Sequence, residues 1–175
     1  KDRDFAGLAE FPIAEGQFRW IEAPEWDVEQ AVVSADGSTL AWTVNEDGFS
    51  RVHARDLRTG EDLTLPTVPG GTISALRISR DGRVLAFLLA RAAQPTEVVA
   101  VGIATGDVHV LTDSTPPALR EITAVEPELI RFPTHDGRDI PAFLYRPHGD
   151  GPFPVVLSIH GGPEAQERPM YMYGG

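Results

Sequence analysis

A repeat dominates this sequence. The segment VEQAVVSADGSTLAW at residues 28–42 returns 45 residues later as ISALRISRDGRVLAF at residues 73–87. Two further segments match in the same order, RDLRTGEDLTL at 55–65 and VGIATGDVHVL at 101–111. Self-similarity at a period of roughly 20–50 residues is typical of solenoids and propellers, in which each unit packs mainly against its neighbours.

Each unit predicts four short strands. In the first unit, Asp36-Gly37 separates Val28–Val33 from Thr39–Val44, and Leu40, Trp42 and Val44 of the second run alternate with the residues between them. Alternation indicates half-buried strands, and an Asp-Gly pair supplies the positive φ of a tight turn. Two more strands are predicted at Arg51–Leu57 and Leu63–Val68. Four antiparallel strands in about 45 residues are typical of one β-propeller blade.

The second unit, Ile73–Thr112, predicts a sheet of the same kind. Its Leu85 and Phe87 should occupy the buried sites that Leu40 and Trp42 occupy in the first sheet. The alternative is an unrelated pair of hairpins in a β-sandwich, but the matched order of turns and strands favours blades. Because a closed propeller needs about four blades or more, we expect the chain to pair with further copies of itself or to belong to a longer parent chain.

Composition excludes several classes of function. The 175 residues are 42% hydrophobic and 23% charged, which is typical of a globular protein. Lys and Arg number 15 against 26 Asp and Glu, so the net charge of −11 disfavours nucleic acid and anionic membranes as partners. The chain has no cysteine and therefore no disulfide or thiolate site. No apolar run is long enough for a membrane span, and we expect a cytoplasmic protein.

The pattern changes near Pro116-Pro117, where the repeat stops. A hairpin is predicted from Leu129–Pro133 and Ile140–Tyr145, joined by a turn that contains Asp136-Gly137. The segment Pro154–Ile159 is then apolar on both faces. Such a run is typical of a strand that is covered on both sides of an α/β sheet.

The predicted fold class is therefore mainly β, with β-propeller blades followed by the first strands of an α/β domain. We expect the blades to occupy residues 1–118 and the α/β part, which the resemblance given below implies to be an α/β-hydrolase domain, to occupy residues 119–175.

The predicted strand Pro154–Ile159 ends in His160-Gly161-Gly162-Pro163. Two glycines leave the backbone bare, so its N–H groups can approach a ligand without a Cβ in the way. In serine hydrolases of the α/β type, a loop at this place supplies an oxyanion-hole donor. His160, Gly161 and Gly162 are therefore the candidate site, and the alternative is a plain turn at a strand end.

Together with the repeats, this loop makes the chain resemble the prolyl oligopeptidase family of serine peptidases. The resemblance is greatest to the acylaminoacyl-peptidase and dipeptidyl-peptidase-like branch. It is carried by SADGSTLAW, SRDGRVLAF, IRFPTHDGRDIPAFLYRP and PVVLSIHGGPEAQERP. The resemblance implies a propeller that caps a hydrolase domain, a short peptide as substrate, an acyl-enzyme intermediate and no cofactor or metal.

The resemblance also assigns a role to the glycines and reveals what is missing. It implies that Gly161 or Gly162 donates an oxyanion N–H, with Gly162 favoured, whereas His160 stands where some relatives carry a tyrosine. No G-x-S-x-G elbow occurs, since Gly71–Ala75 has the wrong spacing and Ser158 lies inside a predicted strand. The resemblance therefore implies a catalytic triad beyond Gly175 and a chain that is inactive by itself.

Several other residues have two interpretations. Glu164, Glu167 and Arg168 could hold a peptide terminus or belong to a solvated loop. His53 and His109 are interpreted as packing or surface residues, because no spacing of His and carboxylates matches a metal site. The three tryptophans, Trp20, Trp26 and Trp42, are expected to pack between blades.

Two other functions remain as alternatives. The chain could be a non-catalytic β-propeller module that binds a partner protein, or part of a lipase or esterase with an HGG loop. A G-x-S-x-G elbow beyond Gly175 would favour the peptidase over the binding module.

Overall fold

The computed structural model describes residues 3–171, which form four antiparallel β-sheets and one short 3-10 helix at Pro117–Leu119. The strands are β1 Leu8–Glu10, β2 Arg19–Glu22, β3 Asp27–Val33, β4 Thr39–Glu46, β5 Phe49–Asp56, β6 Thr72–Ile78, β7 Val84–Arg91, β8 Gln94–Gly102, β9 Val108–Val110, β10 Glu128–Pro133 and β11 Asp139–Leu144. The sheets are β1-β2, β3-β4-β5, β6-β7-β8-β9 and β10-β11. Within the described range, no helix is long and apolar enough to cross a membrane.

The repeat produces two equivalent sheets. The central strands β4 and β7 have the same place in their sheets, and each pairs antiparallel with the strands before and after it. Leu40 and Trp42 of β4 are buried, as are Leu85 and Phe87 of β7. The predicted equivalence of these four core positions is confirmed.

The first sheet has three strands, so the prediction of a fourth at Leu63–Val68 is wrong. Among the described residues, the ladder continues only through a single bridge, Arg55 to Asp62, with one bond from the Asp56 N–H to the Glu61 carbonyl and one from the Leu63 N–H to the Ala54 carbonyl. Pro66 interrupts the segment, because proline has no N–H to donate. The second unit has no proline at the corresponding place, and β9 forms there.

Sheet β3-β4-β5 packs with its neighbours through two faces, and the side chains on one face are smaller than those on the other. Ala41 and Ala54, on one face of β3-β4-β5, share a buried cluster with Leu85, Phe87 and Leu89 of the second sheet. The opposite face of β4 buries its larger residues against the β1-β2 hairpin and its flanks; these residues are Leu40, Trp42 and Val44. Because alternate residues of β4 serve two clusters, the strand is buried on both faces.

The tryptophan and histidine predictions are partly confirmed. Trp42 and Trp26 pack in the cluster next to the hairpin, and His53 stacks on Trp42 with ring centroids 5.4 Å apart. His109 is exposed, as a surface residue should be. Trp20 is also exposed and leans edge-on against Phe18, so its expected place between blades is wrong.

An acidic turn joins β3 to β4. The Asp36 carboxylate accepts hydrogen bonds from the Ser34 hydroxyl at 2.6 Å, the Ser38 hydroxyl at 2.8 Å and the Ser38 N–H at 3.1 Å. These bonds favour the charged form and lower the pKa of Asp36 from 3.8 to about 2, the Ser34 hydroxyl contributing most. Gly37 follows at φ +70°, which completes the tight turn.

The lowered pKa predicts acid sensitivity. A carboxylate with a depressed pKa contributes stability that is fully present above its unfolded-state pKa, near 3.8, and is lost as the pH falls towards 2. We expect thermal stability to fall between about pH 4 and pH 2 and Asp36→Asn to lose less over this window. Melting curves across this range check the prediction, and an equal fall in both proteins would contradict it.

A second prediction concerns Thr43, which is fully buried in β4. Its hydroxyl has no hydrogen-bond partner among the described residues. Because an unpaired buried hydroxyl costs about 1–3 kcal/mol, Thr43→Val should raise the free energy of unfolding by about 1 kcal/mol. Urea denaturation measures this. Ser34→Ala is the control and should lower it by about 1 kcal/mol, because Ser34 bonds Asp36 and the Thr39 N–H.

The prediction of a buried strand at Pro154–Ile159 is wrong for this structure. The segment pairs with no strand of residues 3–171, and its side chains are exposed, Val155 and Val156 each by 91%. A strand requires a neighbouring edge to accept its backbone hydrogen bonds. The segment has the apolar composition of a buried strand, but the described residues do not cover its side chains.

Candidate glycine-loop site

The approach to the site is the β10-β11 hairpin, which forms as predicted. Its register pairs Phe132 with Ile140 across the turn. The hairpin lies against the turn between β4 and β5, the Asp47-Gly48 turn. Arg131 forms an ion pair with Asp47, and the ring of Phe143 packs edge-on against Phe49 with centroids 5.6 Å apart. The hairpin is thereby fixed to sheet β3-β4-β5.

The glycine loop, residues 160–163, lies exposed between this hairpin and the end of the described chain. Gly162 has φ +155°, and a Cβ there would lie 2.8 Å from the backbone nitrogen of Glu164. A side chain at Gly162 would therefore force the backbone to move, whereas Gly161 has nothing within 4 Å of its Cβ position. The glycine at 162 is required by the local shape of the loop.

His160 makes one bond within the loop. Its Nδ1 lies 2.8 Å from the carbonyl oxygen of Gly161, which can only accept, so Nδ1 carries the proton in this contact. The imidazole thus braces the loop backbone.

The segment after the loop returns to the first sheet. Gln166 accepts a bond from the Asn45 side chain at 2.8 Å, and Pro169 is fully buried. Arg168 donates to the Gly48 carbonyl, to Glu29 and to the Ser50 hydroxyl, at 2.9, 2.6 and 3.0 Å. Neither earlier interpretation of Arg168 holds, since its side chain is only 14% exposed and already has three partners.

One further group at this junction has a shifted pKa. Partial burial, and then the negative charges of Glu167 and Glu126, raise the pKa of Tyr145 above its ordinary value of 10. Its phenol therefore stays protonated at neutral pH and can donate a hydrogen bond.

The structure does not complete a catalytic centre from the described residues. Ser158 is exposed, and no hydrogen bond joins its hydroxyl to a histidine within residues 3–171. In the same range, no cluster of three or more His, Asp or Glu side chains could hold a metal ion. What the fold does assemble is a shaped glycine loop and a set of contacts that hold its flanks.

Sequence reasoning missed two residues that build this junction. Glu29 sits at a bulge of β3, where the register shifts between Val28 and Gln30, and this frees its carboxylate to reach Arg168. Gln30 bridges the two sheets by bonding both Ile73 and Leu76. The available signal was a charged and an amide residue in a strand of otherwise apolar pattern.

No family model matches the chain. In sequence it is similar to an uncharacterized peptidase of Bacillus subtilis strain 168, YuxL, with 26% identity over 142 residues. This alignment covers 75% of the chain and 22% of that protein. The chain thus spans about a fifth of the length of the curated relative that it matches.

Three solved structures share the fold. A puromycin-hydrolyzing peptidase of Mycobacterium tuberculosis superposes with a TM-score of 0.65 and 19% identity, over 81% of this chain and 22% of that one. Dipeptidyl peptidase 4 of Porphyromonas gingivalis gives 0.63 and 23%, over 82% and 21%. A prolyl endopeptidase structure gives 0.59 and 16%, over 78% and 20%.

These likenesses confirm the resemblance that the repeats and the HGGP segment predict. The structural neighbours agree on the fold, and the sequence match is itself to a peptidase. The chain is therefore similar to about one fifth of a peptidase of the prolyl oligopeptidase and dipeptidyl peptidase 4 kind.

Proposed function

We propose that this chain is the part of a serine peptidase in which β-propeller blades lead into an α/β-hydrolase domain. Blades lie within residues 1–118 and the hydrolase part within residues 119–175; both ranges include terminal residues outside those described. The parent hydrolyses short aminoacyl or acylaminoacyl peptides through an acyl-enzyme.

The observation that carries the proposal is the shape of the glycine loop. Gly162 has a backbone conformation and a steric environment that exclude a side chain, and its N–H donates no hydrogen bond within residues 3–171. A bare N–H that is held in place can stabilise the negative oxygen of a tetrahedral intermediate, and one such donor is worth about 10²–10³ in kcat. Gly161 or Gly162 supplies this donor, and we favour Gly162.

The proposal also accounts for the apolar segment before the loop. In a complete α/β domain, this strand lies in a sheet with helices on both faces. Val155, Val156, Leu157 and Ile159, which are exposed here, would then be covered by the remainder of the parent chain. Cytoplasmic location and the absence of a cofactor belong to the same proposal.

The 175-residue chain should therefore be inactive by itself, because donors without a nucleophile leave only weak catalysis. We expect no hydrolysis of aminoacyl or acylaminoacyl chromogenic substrates and no labelling by a fluorophosphonate probe. Mass spectrometry of the treated chain checks this, with Ser158→Ala as the control for adventitious labelling. Stoichiometric labelling of any serine among residues 1–175 would overturn the proposal.

A further inference from the structure

The exposed segment that carries the glycine loop is tied to sheet β3-β4-β5 at both of its ends. At the first end, Phe143 packs against Phe49, beside the Asp47-Gly48 turn. At the other end, Nε of Arg168 donates to the carbonyl oxygen of Gly48 at 2.9 Å. Although residues 144–167 separate these two anchors, both reach the same turn.

Gly48 is the point at which the two ends meet. A Cβ on Gly48 would lie 3.0 Å from Cζ of Phe143 and 3.6 Å from the carbonyl oxygen of Glu167. The residue has φ +86°, so glycine is also favoured by its backbone conformation. Both ends can therefore approach the turn closely because Gly48 has no side chain.

Arg168 makes the second anchor rigid. Its guanidinium bonds a backbone carbonyl, the Glu29 carboxylate and the Ser50 hydroxyl, so three of its N–H groups point at fixed acceptors. The Ser50 hydroxyl also accepts from the Ile73 N–H of β6 at 2.9 Å. The hydrogen bonds that begin at Arg168 thus reach both sheet β3-β4-β5 and sheet β6-β7-β8-β9.

We infer that the Asp47-Gly48 turn and Arg168 position the glycine loop for the reaction, so that sheet β3-β4-β5 is a working part of the active site. The inference rests on the proposed function and extends it to residues far from the loop in sequence. Arg168 acts through the backbone that leads back to Gly162 and is a positioning residue.

The physical reason is that oxyanion stabilisation tolerates only a small displacement of the hydrogen-bond donor. A donor must lie about 2.7–3.1 Å from the position of the oxyanion, and a shift of 1 Å can cost about 100-fold in rate. The residues between Gly162 and Arg168 are exposed, and the surface bond from Asn45 to Gln166 is the hydrogen bond that they make within residues 3–171. Removing the anchor therefore releases the loop, while leaving the glycines themselves unchanged.

The test compares Arg168→Gln and Arg168→Lys with Arg138→Gln in the longer protein that contains this segment. Arg138 is a matched control, since it is exposed and pairs only loosely with Asp136 at 3.4 Å. We expect both Arg168 variants to lower kcat by about tenfold or more, with KM within about threefold, because a transition-state interaction is lost. Lysine should not rescue activity, since a point charge cannot replace a three-way fork.

A second pair of variants tests the turn. Gly48→Ala should lower kcat in the same way, whereas Gly37→Ala should not. Both glycines have positive φ, but Gly37 has nothing within 4 Å of its Cβ position. Gly37→Ala therefore also places an alanine at positive φ, but its Cβ does not contact the segment that carries the glycine loop.

Three results would overturn the inference: values of kcat for the Arg168 variants equal to that of Arg138→Gln, full rescue by lysine, or a rise in KM at unchanged kcat. If the longer protein hydrolyses no peptide, the proposed function fails, and NMR relaxation of the 175-residue chain decides the positioning role separately. The backbone order parameter of Gly162 should fall in Arg168→Gln and stay constant in Arg138→Gln. Equal order parameters in both variants would contradict the inference.

Discussion

Trp42→Ala and Phe87→Ala should each lower the free energy of unfolding by about 3–5 kcal/mol, the range typical of large-to-alanine changes in a core. Both side chains are 2% exposed, and they hold the same place in β4 and β7. Trp42 also loses its stacking with His53 and the cation–π contact of Arg55 at 5.3 Å. Both costs should therefore lie within this range, and that of Trp42→Ala should be the larger.

Chemical denaturation followed by circular dichroism measures this effect. Phe18→Ala and Trp20→Ala are the matched controls, since both side chains are more than half exposed. We expect each control to change stability by less than about 1 kcal/mol. A small effect of Phe87→Ala beside a large effect of Trp42→Ala would show that the two sheets are not equivalent units.

The second large effect is expected for Gln30. Its Nε2 donates to the Ile73 carbonyl and its Oε1 accepts from the Leu76 N–H, both at 3.0 Å. Ile73 and Leu76 are buried, so Gln30→Ala leaves two backbone groups unpaired in the core. Each costs about 1–3 kcal/mol, and we expect a total loss of about 2–4 kcal/mol.

The controls separate lost hydrogen bonds from lost packing. Gln30→Met keeps the length of the side chain and should lose nearly as much stability as Gln30→Ala. Gln94→Ala, at an exposed site where the amide accepts only from Arg91, should cost less than about 0.5 kcal/mol. Wild-type stability in Gln30→Met would show that the amide does not join the sheets.

Local patterns were sufficient to predict the turns and all but one of the strands of the two repeated units. Alternation placed Leu40, Trp42, Leu85 and Phe87 in the core, because the period of a strand fixes which residues share a face. The Asp-Gly pairs located the turns, since their conformation is set by the residues themselves. These features depend on interactions between residues close in sequence.

Two elements were misjudged, one because its partners lie far away and one because of a residue within it. The apolar run at Pro154–Ile159 has the composition of a strand, but its pairing is set by a neighbouring edge that the described residues lack. The fourth strand of the first unit failed because Pro66 removes one ladder donor, a local fact that the repeat match outweighed.

The candidate site also contains one feature that local sequence predicted and one that depends on distant residues. The HGGP motif located the glycine loop, because bare backbone is a property of glycine itself. The anchor at Arg168 could not be predicted, since its acceptors at Glu29, Gly48 and Ser50 are more than a hundred residues away in sequence. Only the folded arrangement shows that this arginine anchors the segment after the loop to sheet β3-β4-β5.

The most direct test of the account measures peptide hydrolysis by the longer protein after Gly162→Ala. We expect kcat to fall by about 10²–10³ with little change in KM, and a fluorophosphonate probe to label the nucleophilic serine correspondingly more slowly. Gly149→Ala is the control, because Gly149 has φ +103° in the same exposed segment and nothing within 4 Å of its Cβ position. Equal kcat values in the two variants would contradict the account, since the glycine loop would then have no part in the reaction.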